Sequence, residues 1–464
     1  MKKQIKTFSE KEMLNFVDKL IDSKTYEIIG PKSKGERYVF DKIDNVNEIK
    51  LDYDLTILPP KKYFLPQYEN LMNYNLQKKF DLKDNLPETK RILFGVHPYD
   101  IIAIEQMDKV YLDDQKDDFY EKRRKNTIII GLDIQKVSER SFAASMNTNI
   151  TDSGFDLLLT DIGEKYTITI GSKKGEKLLD KYAKTEDATK EDIEKIKKTR
   201  QKTASKYKKK LKVTDWSPLL VANYSNAIWE ERSDKCMECS SCTMVCPTCY
   251  CYDIQDDVTL DLKDGKRVRT WDGCMLRDFT KIGSGEVFRE DKKERYRHRF
   301  FRKGNYLNER YGFIACVGCG RCAIACLPDI ADPCDLLNDL SIFGGKGDKS
   351  KFFIKQKIDT KEKGIIHIPR PATIKRVEKL TETETLFEIG LDDKKPLGHN
   401  PGQFVEVSIF GIGEAPISVS SPPSDKPTFE LVVRKVGNVT GKLFSMNKGE
   451  IGRASCRERV CHRV

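Results

Sequence analysis

The sequence predicts a multidomain α+β chain: an N-terminal α/β domain, a helical cysteine-rich domain and an incomplete C-terminal antiparallel β-barrel. Three observations predict it. Short apolar runs separated by turn formers occupy residues 1–183, two cysteine runs of the same spacing fall within 233–345, and alternating apolar runs fill 370–450. At 464 residues the chain is long enough for about three domains of ~150 residues each.

In the first region Lys11–Ser23 is an amphipathic helix candidate, because Leu14, Phe16, Val17, Leu20 and Ile21 recur at helical spacing. Arg91–Val96, Asn126–Leu132, Leu157–Leu159 and Tyr166–Ile170 read as strands. Residues 184–232 form a charged helical connector, dominated to about 213 by Lys, Glu, Asp and Thr. Trp216–Arg232 then reads as one helix leading into the first cysteine run.

That run is Cys236, Cys239, Cys242 and Cys246, with Pro247 behind it; the second is Cys316, Cys319, Cys322 and Cys326, with Pro328 close behind. Both have the C-x2-C-x2-C-x3-C spacing that wraps a loop around a 4Fe–4S cubane, the fourth cysteine ligating the other run's cluster. Three thiolates so spaced fit three corners of a cube and fit one tetrahedral zinc poorly. Two clusters are therefore expected, one on Cys236, Cys239, Cys242 and Cys326, the other on Cys316, Cys319, Cys322 and Cys246. The insert between the runs carries Cys249, Cys251 and Cys274, which read either as ligands of a third cluster or as buried free thiols. The basic stretch Arg289–Lys303 reads as a solvated or partner-facing surface. Cations such as Arg321 or Arg295–Arg299 are expected to favour a reduced, more negative cluster.

Formal net charge is +11, of which the last fourteen residues supply +3 through four Arg against one Glu. Thiolate-ligated clusters carry negative charge outside that count, so no nucleic-acid partner is expected. Apolar runs such as Thr127–Leu132 are far too short to span a bilayer, and Met1–Phe16 lacks the apolar stretch of a signal peptide. The chain is expected in the cytoplasm, without membrane insertion, its cysteines serving as ligands. The histidines are scattered and no nucleophile–base arrangement emerges, so no catalytic side chain is expected. Residues 451–464 hold no lysine, and one codon choice for Ile451–Val460 resembles the start of a short-read sequencing adapter. That tail, with Cys456 and Cys461, is set outside the fold as non-native, and the natural protein is expected to be longer.

The segment Cys236–Asp253 (CMECSSCTMVCPTCYCYD), with Trp271–Met275, Tyr296–Arg299, Phe94–Asp100 and Ser153–Asp156, is more specific than a bare cluster motif. Over residues 1–345 it resembles the beta subunit of NAD(P)-linked sulfhydrogenases, which are cytosolic nickel–iron hydrogenases. It is also similar to the corresponding iron–sulfur subunit of anaerobic sulfite reductase. The family pattern carries cysteines where this chain has Tyr99, Ser141 and Ala143, so a further N-terminal cluster is not expected.

Past residue 370, Ala372–Val377, Thr385–Leu391, Gln403–Ile409, Ile417–Ser420 and Phe429–Lys435 read as strands of a small barrel. Pro401–Val405, Gly413–Ser418 and Val436–Thr440 resemble the flavin-binding domain of the ferredoxin-reductase superfamily, in the variant of the sulfhydrogenase gamma subunit and its counterpart in anaerobic sulfite reductase. The superfamily's R-x-Y-S/T stands here as Ala415, Pro416, Ile417 and Ser418. The resemblance implies FAD held by Gln403, Pro416, Ile417, Ser418, Gly437 and Thr440. Ser418 would lie near flavin N5, and Gly437 and Thr440 would donate to the pyrophosphate. NAD(P)H would bind in a missing C-terminal domain. The implied role is an electron relay from NAD(P)H through FAD and two clusters, or the reverse, within a hetero-oligomer. Its catalytic partner would be of the nickel–iron hydrogenase or sirohaem sulfite reductase type. The alternative is a flavin-free two-cluster carrier or redox-responsive binding module.

Overall fold

The computed structural model describes residues 4–75, 83–114, 116–261, 263–282, 285–343, 369–449 and 453–455. Its first ten strands are β1 (Ile5–Phe8), β2 (Glu27–Lys34), β3 (Arg37–Lys42), β4 (Tyr68–Asn75), β5 (Lys83–Asp84), β6 (Arg91–Val96), β7 (Thr127–Leu132), β8 (Leu157–Asp161), β9 (Tyr166–Ile170) and β10 (Glu186–Asp187). Between and after them lie α1 (Glu10–Asp22), α2 (Pro98–Asp108), α3 (Asp118–Asn126), α4 (Lys173–Tyr182) and α5 (Lys190–Ser205). Eight strands form one sheet in the order β10–β1–β9–β8–β7–β6–β2–β3, parallel from β2 through β6 and β7 to β8. Every residue of β7 is buried, as a parallel strand covered on both faces requires. Alternation along β6 divides two cores: Ile92 and Phe94 meet Phe16, Leu20 and Leu179, while Leu93 meets Ile101, Ile104 and Tyr120 on the other face. Helix α1 starts where Ser9 accepts a hydrogen bond from the Glu12 amide at 3.2 Å.

The charged connector folds against this region. β10 pairs with the edge of β1, and Arg200 on α5 donates to Asp133 at 2.7 Å. The single helix expected over Trp216–Arg232 is two, α6 (Trp216–Ala222) and α7 (Ile228–Asp234). Asn223 ends the first: its amide side chain donates to the Leu219 carbonyl at 3.0 Å, and its own carbonyl accepts from Trp229 Nε1 at 2.7 Å.

The cysteine region continues with α8 (Ser241–Met244), the hairpin β11 (Tyr252–Val258) and β12 (Asp264–Trp271), α9 (Lys292–Phe301), α10 (Leu307–Tyr311), α11 (Arg321–Ile324) and α12 (Pro333–Phe343). Trp216, Trp229, Tyr296, Phe300 and Leu336 are among its core residues. The insert hairpin adds to β4, giving a second sheet ordered β11–β12–β4–β5. Arg269 on β12 is fully buried there, donating to Glu69 at 2.8 Å and Asp117 at 2.5 Å. The basic stretch is no solvated surface. Arg295, Arg299 and Lys303 are 2%, 1% and 4% exposed, because α9 and the turn after it run through the core, with Arg299 and Lys303 facing cysteine sulfur and Arg295 facing Glu238.

The C-terminal strands are β13 (Ala372–Lys379), β14 (Glu384–Leu391), β15 (Phe404–Ile409), β16 (Gly413–Ser418), β17 (Thr428–Arg434) and β18 (Arg453–Ser455), with α13 (Asn438–Phe444). Among the described residues the expected barrel is two three-stranded sheets, β13–β14–β17 and β16–β15–β18, over one core. The Val419–Leu431 bridge links them. Three residues of the tail set aside as non-native pair with the open edge of β15. A free edge accepts any backbone, so this pairing needs no particular sequence. The rest of the tail lies outside the described residues. Among the described residues no helix is long and apolar enough to cross a membrane.

Arg267, fully buried on β12, ties the hairpin to the C-terminal strands. It donates to Asp256 at 2.8 Å and Ser408 at 2.6 Å and pairs with Glu414, while Tyr74 packs on Phe410 with ring centres 4.7 Å apart. Arg267→Leu leaves two carboxylates without their counter-charge, so unfolding free energy should fall by about 3–5 kcal/mol. Adding Asp256→Asn and Glu414→Gln should return part of that loss; denaturant unfolding of the three proteins measures both effects.

Candidate metal centre

The two cysteine runs adopt one backbone twice. Glu238 and Ser240 in the first have φ of 57° and 57°, and Gly318 and Gly320 at the matching places of the second have 62° and 86°. Each left-handed pair leads into a short helix, α8 or α11, which carries the third cysteine and ends just before the fourth. The second run needs glycine for a further reason. A Cβ on Gly318 would stand 2.9 Å from the Ala143 nitrogen, and one on Gly320 2.7 Å from the Arg140 carbonyl carbon. The loop 140–148 closes there: the Phe142 amide and Ser141 Oγ donate to the Gly318 carbonyl at 2.8 and 2.9 Å, and Thr148 Oγ1 donates to the Val317 carbonyl at 2.7 Å.

This repeated backbone sorts the eight thiols into two sets. Cys246, Cys316, Cys319 and Cys322 line one cavity, with Arg299 and Lys303 in its wall. Three of these thiols come from the second run and one from the first. Around the other set, burial pushes the Cys236 thiol up, with Cys326 and Cys239 beside it adding to the effect. Burial pushes Cys242 up to about 11, opposed by Arg299 and assisted by Cys322, Cys326 and Cys236. Cys239 alone among the eight is exposed. Cys246 of the first run thus sits with the second run's thiols, and Cys326 of the second run faces Cys236 and Cys242 of the first.

Buried positive charge surrounds them. Lys303 Nζ donates to Cys246 Sγ at 3.1 Å, to Thr248 Oγ1 at 3.0 Å and to the Ala315 carbonyl at 3.1 Å. Burial disfavours this ammonium, but the Cys246, Cys249 and Cys316 sulfurs outweigh it and hold the proton on. The Cys246 thiol falls well below its ordinary value, first because Cys249 donates to it and then, against burial, because Lys303 and Lys61 face it. Lys61 donates to the Cys249 carbonyl at 2.7 Å and sits 4.2 Å from the centre of the Trp271 ring; burial pushes it down to about 8. Arg299 gives one N–H to the Ala331 carbonyl at 3.1 Å, and its Nε and Nη2 have no acceptor among the described residues. Arg321 differs, being held by both oxygens of buried Asp100 at 2.6 and 2.7 Å. Its charge is offset by that carboxylate, whereas Arg299 and Lys303 have no carboxylate partner among the described residues. Arg295 is likewise paired, with Glu238.

A buried guanidinium with orphan N–H groups and a buried ammonium without a carboxylate both call for an anion. A thiolate-ligated iron–sulfur cluster supplies one, and the donor chemistry fits it. Among the described residues no three His, Cys, Asp or Glu side chains group as ligands of a metal ion. Thiols on separate corners of a cubane need not converge on one point as those of a single ion must. The motif reading missed Lys61, Thr248 and Lys303. The signal for the last was Arg295, Arg299 and Lys303 recurring every four residues among Tyr296, Phe300 and Phe301, a basic face inside an apolar helix.

The remaining thiols border the two sets of four. Cys274 is 4% exposed and pushed up to about 12 by burial, with Cys251 and Cys242 beside it, while Cys249 donates to Cys246. Cys334, which the motifs passed over, is buried on α12 at 3.6 Å from Asn338 Nδ2. Tyr99, Ser141 and Ala143 gather around the second run: Tyr99 and Ala143 pack with Val317 and Cys319, and Ser141 bonds Gly318.

Of the predicted flavin residues, Gln403, Pro416, Ile417 and Ser418 lie on or beside β15 and β16. Register places Phe404 opposite Ser418 and Val405 opposite Ile417, and the Val419 amide donates to the Gln403 carbonyl at 3.1 Å. Pro416 and Ser418 are exposed and Ile417 half-buried. Gln403 Oε1 accepts from the Asn400 amide at 2.6 Å. The phosphate-side pair is engaged with itself. Thr440 Oγ1 accepts from the Gly437 amide at 2.9 Å and donates to the Gly437 carbonyl at 3.2 Å, building the first turn of α13.

A family model described as a 4Fe–4S dicluster domain matches residues 235–330. Over 300 residues the chain is 34% identical to sulfhydrogenase 2 subunit beta of Pyrococcus furiosus, covering 64% of this chain and 88% of that subunit. Over 78 residues it is 42% identical to sulfhydrogenase 1 subunit gamma of the same organism, covering 16% of this chain and 27% of that subunit. It thus spans little more than a quarter of the gamma subunit's length. A solved cytochrome b5 reductase domain of Ulva prolifera nitrate reductase overlaps 19% of this chain and 40% of that one, at 18% identity and a TM-score of 0.18.

Gly320→Ala should combine left-handed strain, ~1–2 kcal/mol, with a clash against Arg140 that lifts the loop 140–148 from the second run. Gly312→Ala, also left-handed at φ +77° but with open space around it, should cost the strain alone. Denaturant unfolding should rank Gly320→Ala clearly below Gly312→Ala.

Proposed function

The chain belongs to the sulfhydrogenase beta-subunit family, and from that premise we propose that it is an iron–sulfur electron-transfer subunit holding two 4Fe–4S clusters. It relays electrons between NAD(P)H, by way of FAD, and a separate catalytic subunit of the nickel–iron hydrogenase or sirohaem sulfite reductase type. The observation that carries this reading is the cavity whose wall holds Cys246 with Cys316, Cys319 and Cys322, and with buried Arg299 and Lys303. When bound, such clusters exchange single electrons while a flavin accepts a hydride, so the cofactors carry the chemistry.

The chain's residues bind, space and tune. Cys236, Cys239, Cys242 and Cys326 hold one cluster; Cys316, Cys319, Cys322 and Cys246 hold the other. The exchange of fourth ligands interlocks two runs that lie far apart in the chain and fixes their separation. Arg299 faces Cys242 of one set and Cys322 of the other, so one buried charge serves both. Gln403, Pro416, Ile417 and Ser418 offer a half-exposed strand end to FAD, and the nicotinamide would bind in a domain that follows the FAD module. The mutual engagement of Gly437 and Thr440 favours the second reading, a flavin-free two-cluster carrier, because those donors must be released before they meet a pyrophosphate.

Anaerobic purification with iron, sulfide and flavin counting separates the readings. About eight irons, eight sulfides and one FAD per chain are expected. Eight irons without flavin would favour the carrier, about twelve would bring Cys249, Cys251 and Cys274 into a third cluster, and none would end the proposal.

A further inference from the structure

Charge is unevenly shared between the two thiol sets. Lys303 is 4% exposed, and its acceptors among the described residues are Cys246 Sγ, Thr248 Oγ1 and the Ala315 carbonyl, none of them a carboxylate. The thiols facing it from the two sets of four, Cys246 and Cys316, both belong to the second set. Arg299 faces a thiol of each set and cannot distinguish them. Arg321, beside Cys319, is offset by Asp100, and Arg295 by Glu238. Among the described residues the first set therefore has no charged neighbour equivalent to Lys303, and it keeps an exposed thiol, Cys239.

We propose that Lys303 is a positioning residue that raises the reduction potential of the Cys246–Cys316–Cys319–Cys322 cluster above that of its neighbour. The inference rests on the two-cluster reading above. Reduction of a thiolate-ligated cluster adds one negative charge to a group already anionic. A fixed ammonium hydrogen-bonded to a ligand sulfur stabilises that added charge, and does so strongly where little water screens it. Burial alone acts the other way, since a dry site resists added charge. The ammonium decides the order because it touches the ligand sulfur itself. Thr248 holds it in place, with its hydroxyl 3.2 Å from Cys246 Sγ and donating to the Ala315 carbonyl at 2.6 Å. The pair of clusters thus has a built-in electron sink on the buried side.

The test is an anaerobic redox titration of the full chain, followed by electron paramagnetic resonance, with iron counted in every preparation. Wild type should show two one-electron midpoints. Lys303→Met should weaken the reduction equilibrium of the higher one at least tenfold, about 59 mV downward for one electron, and move the lower one much less. Lys303→Arg, which keeps the charge, should stay close to wild type. If Lys303→Met fails to retain both clusters, Thr248→Val carries the test, with a smaller downward shift of the higher midpoint expected. Equal movement of both midpoints, movement of the lower one alone, or no movement would overturn the inference while leaving two clusters in place. A wild type without two titrating clusters would overturn it together with the reading beneath it.

Discussion

Positive charge sealed inside the protein, with no carboxylate to meet it among the described residues, is the constraint on which the rest of this structure depends. Arg299 and Lys303 stand in a dry wall beside cysteine sulfur, and two N–H groups of Arg299 have no acceptor among the described residues. Two bare cations in such a place would cost several kcal/mol each. They become favourable once the sulfurs are thiolates carrying a cluster. The segment that bears them, α9 and the turn after it, follows the same logic. Tyr296, Phe300 and Phe301 anchor one side of α9 in the core, and Arg295, Arg299 and Lys303 fall on the side that the cysteine loops cover.

The N-terminal region then acts as the frame for one of those loops. Asp100 on α2 holds Arg321 of the second run, Gln106 donates to the Ile314 carbonyl at 3.1 Å, and the 140–148 loop closes over Gly318 and Gly320. The insert hairpin is a second brace, paired to β4 along one edge and joined to the C-terminal strands through Arg267. Electron relay asks for fixed distances rather than moving parts, and this arrangement pins the buried thiol set from several elements while leaving Cys239 at the surface.

Local signals were legible in the sequence and distant ones were not. The cysteine spacing, the strands β6 to β9 and helix α1 follow from periodicity within a few residues, and the structure places them within a residue or two of the expected bounds. The break at Asn223 escaped because it depends on Trp229 reaching back to a carbonyl, a tertiary choice invisible in apolar spacing. The hairpin's pairing with β4 escaped because its partner strand lies in another region of the chain. The basic stretch was misjudged as surface, since charge reads as solvated until its counter-charge is known, and here Arg299 and Lys303 face thiols drawn from two separate runs while Arg295 meets Glu238. At the C-terminal strands, register sets Ile417 and Ser418 opposite the residues that follow Gln403, while Gly437 and Thr440 bind each other, a contact that a motif cannot reveal.

The exchange of fourth ligands is the claim that joins charge, loops and fold, and iron anomalous diffraction from anaerobically grown crystals tests it most directly. The account predicts two separate iron peaks, one enclosed by Cys246, Cys316, Cys319 and Cys322 and the other by Cys236, Cys239, Cys242 and Cys326. A peak enclosed by the four cysteines of a single run, or one peak in place of two, would contradict it.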